Sequence, residues 1–199
     1  MSLRYALLAL LTAQPMTGYD LAKAFHVSVA HVWHAPDSQI YPELRKMAAE
    51  ELVVADAVAR GRASTKTLYT ITPDGVAALR SWLATPVEQT KERDPARLRA
   101  AYFEWTDEET AAAHLRAHIA HYRQLREQWR QQRDSIRDRS HPIVRTRLEK
   151  ATPEEGDRLV AFKAFAYEGL IDRADTEIAW AERGLRMLGR EPDPAPGED

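Results

Sequence analysis

The sequence of 199 residues predicts a mostly α-helical protein with one small β-hairpin. Apolar residues recur at helical spacing through most of the chain, and only residues 52–72 read as a pair of strands. The 44% hydrophobic content is enough to bury a core in one large or two small domains. The chain has no cysteine, which excludes disulfides and thiolate metal sites and suits a reducing cytoplasm, the location we expect.

Two short helices are predicted at the start of the chain. Residues Leu3–Thr12 are almost continuously apolar, as in a buried helix, and Gln14-Pro15 ends that helix. Thr17 and Asp20 have the spacing of a capping box, in which a hydroxyl and a carboxylate satisfy the free N–H groups of a helix start. The second helix therefore spans about Gly18–Phe25.

A third helix is predicted over Ser38–Leu52. Asp37 or Ser38 can cap it, and Pro42 lies in its first turns, where a missing N–H costs least. Its apolar residues recur every three or four positions, so they form one inward stripe. The stripe is Ile40, Leu44 and Met47, and the side chains left pointing elsewhere are Gln39, Tyr41, Glu43, Arg45 and Lys46.

Two strands and a basic turn follow the third helix. Residues Leu52–Ala59 and Lys66–Thr72 favour strands, and Gly61 marks the tip between them. Cations beside such a tip can reach a phosphate backbone without burial of charge, although a solvated turn is the alternative. Thr72 and Pro73 then start a fourth helix as N-cap and first helical residue. The basic residues of the turn are Arg60, Arg62 and Lys66.

Three helices, a hairpin and a fourth helix occur in the order of a winged helix-turn-helix, a DNA-binding fold. The net charge of −2 is an apparent objection to a nucleic-acid partner. Residues 1–83, however, carry eight Lys and Arg against seven Asp and Glu. Five of the eight lie on the third helix and on the predicted hairpin of residues 52–72, which forms the wing. The small total argues against tight binding that ignores sequence, because phosphate neutralisation supplies most of that affinity.

Several separated segments resemble the PadR family of bacterial transcription regulators, and they match over the first eighty-odd residues in order and spacing. A later segment, Leu98–Phe103, is similar to the start of a virulence-activator-type C-terminal domain. The resemblance implies a homodimer that binds double-stranded operator DNA through paired winged helices, often as a repressor and sometimes as an activator. We expect a repressor. The matching segments are Gly18-Tyr19-Asp20-Leu21, Trp33, Ser38–Leu44, Gly61-Arg62, Tyr69–Gly75, Leu79 and Trp82-Leu83.

The predicted DNA-binding residues lie on the second and third helices and on the wing. Gln39 can bridge an adenine edge, Arg45 can pair with guanine, and Tyr41 can lie against the groove wall or a thymine methyl. For Tyr41, packing against Tyr19 is left open as the alternative. The full set is Tyr19, Ser38, Gln39, Tyr41, Pro42, Arg45, Lys46, Arg60, Arg62 and Lys66.

The chain is predicted to divide at residues 85–95, a polar and charged stretch that two X-Pro pairs bracket. This linker separates a DNA-binding domain, residues 1–84, from a helical dimerisation and possible effector domain, residues 96–188. The tail, residues 189–199, has three prolines and four acids with almost nothing to bury, so we expect it to be disordered.

The second domain is predicted to contain helices over about Ala96–Glu104, Thr106–Arg139 and Thr152–Leu188, with capping-box signals at the start of the last two. In the last helix, apolar residues alternate by fours and threes over four heptads and form a seam, while Phe162 and Phe165 lie off it. A helix with two apolar faces needs two partners, and the chain offers one other long helix. We therefore expect a second subunit. The residues assigned to the subunit interface are Tyr167, Ile171, Ile178 and Leu185.

One group of aromatic residues carries a ligand hypothesis. Tyr102, Phe103 and Trp105 follow the linker closely and could line a crevice for a small, planar aromatic effector. The resemblance supports this, because regulators of that family commonly couple a small molecule to the separation of their wings. The alternative is that the three residues only pack the second domain.

The histidines are interpreted as polar residues without a cofactor or metal. No cysteine or clear carboxylate completes a ligand set around the group on the long helix, and the group before the third helix is interpreted as polar loop residues that could contact a phosphate. The two groups are His114, His118 and His121 on the long helix, and His26, His31 and His34 before the third helix.

Catalytic motifs are absent from the sequence: there is no nucleophile-elbow serine, phosphate-binding glycine loop or cysteine nucleophile, so we predict no enzyme. The apolar start superficially fits a secretory signal, but cleavage near Ala13 would remove the first helix. No later stretch reaches the roughly 18 apolar residues of a membrane span. The alternative function is a winged helix that binds a protein partner and not DNA. A steep salt dependence of duplex binding separates the two.

Overall fold

A computed structural model describes residues 2–29, 32–33, 35–60, 64–87 and 93–191. The fold is mostly helical with one small antiparallel sheet, as the sequence predicts. In chain order the elements are α1 (Ser2–Leu11), β1 (Met16–Thr17), α2 (Gly18–Ser28), α3 (Asp37–Ala49), β2 (Val53–Arg60), β3 (Ser64–Ile71), α4 (Pro73–Ala84), α5 (Pro95–Ala100), a 3₁₀ turn (Phe103–Trp105), α6 (Glu108–Arg137), α7 (Pro142–Leu148) and α8 (Pro153–Met187).

The chain forms two compact units. The N-terminal unit comprises the described residues up to 87 together with 140–157, and the C-terminal unit comprises the described residues from 93 to 139 and from 158 to 191. Residues 140–157 therefore fold with the N-terminal unit, whereas the sequence-based boundaries placed them in a domain of residues 96–188. The cause is α7, a helix too short to show periodicity in the sequence: its Val144 is buried, Ile143 packs against the N-terminal core, and Lys150 donates to the Ala13 carbonyl at 2.7 Å.

The sheet of the N-terminal unit has the strand order β1-β3-β2, with both pairs antiparallel. Strands β2 and β3 are paired from Val53 opposite Ile71 to Arg60 opposite Ser64. The sequence predicted this hairpin but not β1, whose two residues pair with Leu68 and Tyr69 of β3. A strand of two residues is too short to show alternation. Below the sheet, α1, α2 and α3 supply the largest fully buried side chains, which are Leu7, Leu8, Leu21, Phe25, Ile40, Leu44 and Met47.

Two predicted N-caps in the N-terminal unit are confirmed. The Thr17 hydroxyl accepts the Asp20 N–H at 3.2 Å and donates to the Asp20 carboxylate at 2.6 Å. The Thr72 hydroxyl accepts the Gly75 N–H at 3.0 Å and donates to the Leu52 carbonyl at 3.0 Å. Gly75 lies so close to the backbone of Leu52, the residue before β2, that a Cβ there would collide with the Leu52 carbonyl oxygen. Only glycine therefore allows α4 to start at this position.

Two other predicted caps are wrong. Helix α3 includes Asp37 in its first turn and has no side-chain cap, because the Asp37 carboxylate lies 2.8 Å from Nε2 of His26 instead. Helix α6 is capped by Asp107 and not by Thr106. The Asp107 carboxylate accepts the Thr110 N–H at 2.8 Å, and this hydrogen bond lowers the pKa of Asp107. An ionised carboxylate is a stronger acceptor than a hydroxyl, so it takes the capping position.

Helix α8 starts with the predicted capping box. The Thr152 N–H donates to the Glu155 carboxylate at 3.0 Å, and the Glu155 N–H donates to the Thr152 hydroxyl at 3.3 Å. Helices α6 and α8 pair antiparallel in the C-terminal unit, where Arg126 of α6 lies 2.7 Å from Asp175 of α8. Their shared core consists of Ala112, Leu115, Ile119, Ile178, Ala181 and Leu185.

This core changes the assignment of the heptad seam. Tyr167, Ile171, Ile178 and Leu185, which the sequence analysis gave to a subunit interface, are buried within a single chain. A heptad pattern records that a helix face is buried but not whether the covering helix belongs to the same chain. The off-seam residues behave differently, since Phe162 is 62% exposed and Phe165 is 69% exposed. These two rings are therefore exposed apolar side chains of α8 in the single chain, as is Met187 at the end of the helix.

Gly75→Ala should destabilise the N-terminal unit by at least about 2 kcal/mol, because the added methyl forces the start of α4 away from Leu52. Urea unfolding followed by circular dichroism measures the change. Gly169→Ala in α8 is the control, since nothing lies within 4 Å of a Cβ there. That change should leave stability unchanged or raise it by up to about 1 kcal/mol. Equal effects of the two substitutions would contradict the close approach at Gly75.

Candidate nucleic-acid interface

The outer face of α3 is the first part of the candidate site. Ile40, Leu44 and Met47 are fully buried, which confirms the predicted inward stripe. The opposite side of the helix is exposed and polar, because a helix turns by about 100° per residue. The exposed residues of this face are Ser38, Gln39, Pro42, Arg45 and Lys46.

One arginine of α1 pairs with two acidic residues, one within α3 and one directly after its C-terminal end. The Arg4 guanidinium of α1 donates to the Glu43 carboxylate at 2.8 Å and to the Glu50 carboxylate at 2.7 Å. The hydrogen bond from Arg4 lowers the pKa of Glu50. Glu43, which the sequence left among the outward side chains, therefore packs against α1 and is largely buried. As a result, Arg4 offsets part of the negative charge beside the exposed cations Arg45 and Lys46, and Lys46 itself lies 3.9 Å from the Glu50 carboxylate.

Tyr41 is half-buried and fixes α3 against the start of α2. A Cβ added at Gly18 would lie 2.9 Å from Cε1 of Tyr41 and 3.6 Å from the ring of Tyr69. The ring of Tyr41 thus packs on the bare backbone of Gly18, while the Tyr19 side chain is exposed. The sequence predicted a packing role or a groove contact for Tyr41, but gave no sign that a glycine is its neighbour.

An open cavity of about 600 Å³ joins the start of α2, α3 and the base of the wing. Lys66 and three tyrosines are among its lining residues, and side chains of these types bind phosphate oxygens in protein–DNA complexes. Tyr19, Tyr41 and Lys66 were predicted one by one, and the structure brings them together. Thr17, Gly18 and Thr67 were not assigned to this site from the sequence. The capping signal at Thr17 predicts the start of a helix and not a place in a cavity. The lining residues are Thr17, Gly18, Tyr19, Asp20, Tyr41, Lys66, Thr67 and Tyr69.

The wing is described only in part. Lys66 is exposed on β3 opposite Val58 of β2. The backbone of Arg60 pairs with Ser64 at the end of the hairpin. The Arg60 side chain and all of Arg62 lie outside the described residues.

The aromatic group predicted to bind an effector does not converge on one site. Tyr102 is 59% exposed and Trp105 is 85% exposed, whereas Phe103 packs against the C-terminal core and stacks on His114 at 6.2 Å. The cause is the 3₁₀ turn, in which successive side chains point about 120° apart. Of the three residues, Phe103 alone lines a cavity in the described part of the chain.

The histidines of α6 make contacts of three different kinds. His114 stacks on Phe103, His118 lies 3.0 Å from the Glu177 carboxylate, and His121 packs edge-on against Tyr122. Within the described ranges, no group of three metal-binding side chains comes together. His31 and His34 of the other group lie outside those ranges. None of the described helices is both long and apolar enough to cross a membrane.

Comparison with known proteins identifies related regulators. Residues 7–81 match the family described as "Transcriptional regulator PadR-like family". The "Negative transcriptional regulator PadR" of Bacillus subtilis (strain 168) is 27% identical over 194 residues, which are 95% of this chain and 98% of the relative. The matched family and this relative are transcriptional regulators and not enzymes.

Solved structures show the same fold over nearly the whole chain. Bacillus subtilis PadR in complex with operator DNA matches with a TM-score of 0.73 and 24% identity, over 94% of this chain and 99% of that chain. The same protein in complex with p-coumaric acid matches with a TM-score of 0.68 and 24% identity, over 95% and 96%. The Vibrio cholerae virulence activator AphA matches with a TM-score of 0.67 and 22% identity, over 94% and 98%.

Arg4→Met should flatten the pH dependence of stability in acid. Because Arg4 lowers the pKa of Glu50 below its ordinary value of 4.5, this pair stabilises the fold fully above that value. The stabilisation is lost as the pH falls through the lower pKa of the folded state. Denaturant unfolding at pH 7 and pH 3 should therefore show a smaller loss in the variant than in the unmodified chain. Arg80→Met, at an exposed position of α4, is the control. If Arg80→Met lost as little stability between pH 7 and pH 3 as Arg4→Met does, the effect would not be specific to Arg4.

Proposed function

Since residues 7–81 of this chain match the PadR-like family of transcriptional regulators, we propose that the protein is a homodimeric repressor that reads operator DNA and responds to a small aromatic effector. The observation that carries the DNA-binding part is the outer face of α3. Its inner face is fully buried, Arg4 pairs with Glu43 and Glu50, and its exposed cations are Arg45 and Lys46, of which Lys46 lies 3.9 Å from Glu50. Operator DNA in the complex of the Bacillus subtilis relative supports a duplex as that partner.

The proposed readout divides between the helix and the cavity beside it. Gln39 and Arg45 on the exposed face of α3 have side chains that can bond adenine and guanine edges in a major groove. Tyr41 positions the helix, because its ring is packed on Gly18. The cavity with Lys66 and Tyr19 would take phosphate oxygens and so set the register of the protein on the duplex.

The remaining DNA contacts follow the same division. Ser38, Pro42 and Lys46 flank the base-reading residues on the exposed side of α3. Arg60 and Arg62 of the wing are proposed phosphate contacts from their place in the sequence. Such a regulator acts at the chromosome, which is consistent with the cytoplasmic location expected from the absence of cysteine.

A dimer is proposed because two half-sites about 34 Å apart can be read together only by two winged helices held relative to each other. The exposed face of α8 with Phe162 and Phe165 is the surface we assign to the second subunit. These rings lie three residues apart and therefore on the same side of the helix. The guanidinium of Arg158 lies 5.8 Å from the Phe162 ring centre and borders this surface.

The effector is proposed from the relative and from the composition of the C-terminal unit. Bacillus subtilis PadR has been solved with p-coumaric acid, a small aromatic acid. In this chain, Phe103 contributes a ring to a cavity of the C-terminal unit. An aromatic ligand in such a cavity would shift the protein between states of different DNA affinity only if it binds one state better.

Duplex binding as a function of salt tests the proposed function. Lys66→Ala should weaken binding to all sequences alike and reduce the slope of log affinity against log salt by about one. Gln39→Ala in the same series should instead relax discrimination at one base pair by about 1–3 kcal/mol and leave the slope unchanged. Arg186→Ala, an exposed cation of the last turn of α8, controls for net charge. A salt-independent affinity of the unmodified chain would favour the alternative, a protein-binding winged helix.

Phe165→Glu tests the dimer surface. Because Phe165 is exposed in the single chain, a charge there should leave the fold intact and yield a smaller species in analytical ultracentrifugation. Ile178→Glu is the contrasting variant: it places a charge in the core between α6 and α8, at a cost of several kcal/mol, and should unfold the C-terminal unit. A Phe165→Glu protein that sediments like the unmodified chain would move the subunit interface to another surface.

A further inference from the structure

The C-terminal unit contains a cavity that the sequence did not predict. It has a volume of about 330 Å³ and lies between α5, α6 and α8. Phe103 and His114 stack on one side of it, with ring planes 13° apart, and Trp180 lines it from α8. A second cavity of about 430 Å³ shares Phe103, Leu115 and Trp180 with the first. Both volumes lie in the range of ligand pockets, roughly 300–1,000 Å³.

A charged network around the buried Glu177 holds the wall of this cavity. Glu177 is 6% exposed, and its carboxylate accepts hydrogen bonds from Arg97 at 3.1 Å. Nε2 of His118 lies 3.0 Å from the same carboxylate. The Arg97 guanidinium also lies 4.8 Å from the ring centre of Trp180, so it covers one face of that ring. Because these groups satisfy one another, Trp180 and His118 are held in place before any ligand enters.

The charge around the opening favours an anion. Arg99 lines the first cavity and is exposed, and Arg183 lines the second. No aspartate or glutamate occurs among the described residues that line either cavity. Asp94 and Glu177 both pair with Arg97, at 2.6 Å and 3.1 Å, and neither of these carboxylates lines either cavity. A ligand carboxylate would thus meet cations at the rim and flat rings inside.

We propose that this cavity binds a planar aromatic carboxylate, with its ring on Phe103 and His114 and its carboxylate at Arg99. The inference rests on the effector part of the proposed function and locates the effector within the C-terminal unit. It replaces the group of three aromatics from the sequence by Phe103 alone, since Tyr102 and Trp105 face solvent. A flat ring fits because stacked aromatic pairs gain from face-to-face offset contact.

Isothermal titration of the full chain with 2-naphthoate, and with the neutral analogue 2-naphthamide, tests the site. We expect saturable binding of 2-naphthoate that is tighter than that of the amide. Phe103→Leu should weaken both probes by about tenfold, through loss of the ring contact. Arg99→Gln should weaken 2-naphthoate alone, by about threefold to fivefold, because an ion pair at an exposed rim is worth little. Tyr102→Leu, an exposed ring next in sequence, should change neither.

His114→Ala provides a second variant in case Phe103→Leu disturbs the core, since His114 is exposed. It should also weaken both probes. Absence of saturable 2-naphthoate binding, or equal affinity in the Phe103→Leu, His114→Ala and Tyr102→Leu proteins, would overturn the assignment of this cavity. Duplex binding without any probe is measured on the same preparations. If duplex binding persists while 2-naphthoate fails to bind, only the cavity assignment falls. If the unmodified chain does not bind duplex DNA, the proposed function is refuted instead.

Discussion

The burial of one face of α3 is the constraint on which the rest of the N-terminal unit depends. Ile40, Leu44 and Met47 are completely removed from solvent, and each contributes roughly 1.5–3 kcal/mol through that burial. Since successive residues differ by about 100° around the axis, rotation of α3 by one residue would expose this stripe and bury charges. The core therefore decides which side chains α3 presents outward. Tyr41 on Gly18 adds a second contact that prevents such a rotation.

Local pairing of charges explains how a chain with net charge −2 can offer a basic surface. Arg4 of α1 pairs with Glu43 and Glu50, and Lys46 also lies 3.9 Å from Glu50, so the negative charge of these two acids is partly offset. The total field of the unit stays weak, because its cations and anions are almost equal in number. Weak overall charge limits binding to arbitrary sequence, whereas side chains in fixed positions can still distinguish bases. The arrangement thus favours selective binding over tight binding.

The sequence predicted the elements that have a long periodic pattern or a local capping signal. The inward stripe of α3, the hairpin and the caps at Thr17, Thr72 and Thr152 belong to this class. Short elements were missed, because β1 and α7 contain too few residues for a period to be visible. Contacts between distant segments were missed for another reason. The approach of Tyr41 to Gly18 depends on how helices meet and not on any local pattern. The exposed face of α3 could be predicted from sequence because helical periodicity alone defines it, whereas the cavity between α5, α6 and α8 could not.

The charged network of the C-terminal unit sets the relative position of its helices more than it stabilises them. Glu177 loses most of its hydration on burial, and its pairing with Arg97 only offsets that cost, so the net stability from this pair is small. The α8 face beside it is built from Ala174, Ile178 and Ala181, whose apolar contacts have no preferred direction. A slip of one turn, about 5.4 Å, would carry Glu177 beyond reach of both Arg97 and His118. It would then leave a buried carboxylate without a partner, at a cost of several kcal/mol. The network therefore selects one register, and that register places Trp180 beside Phe103.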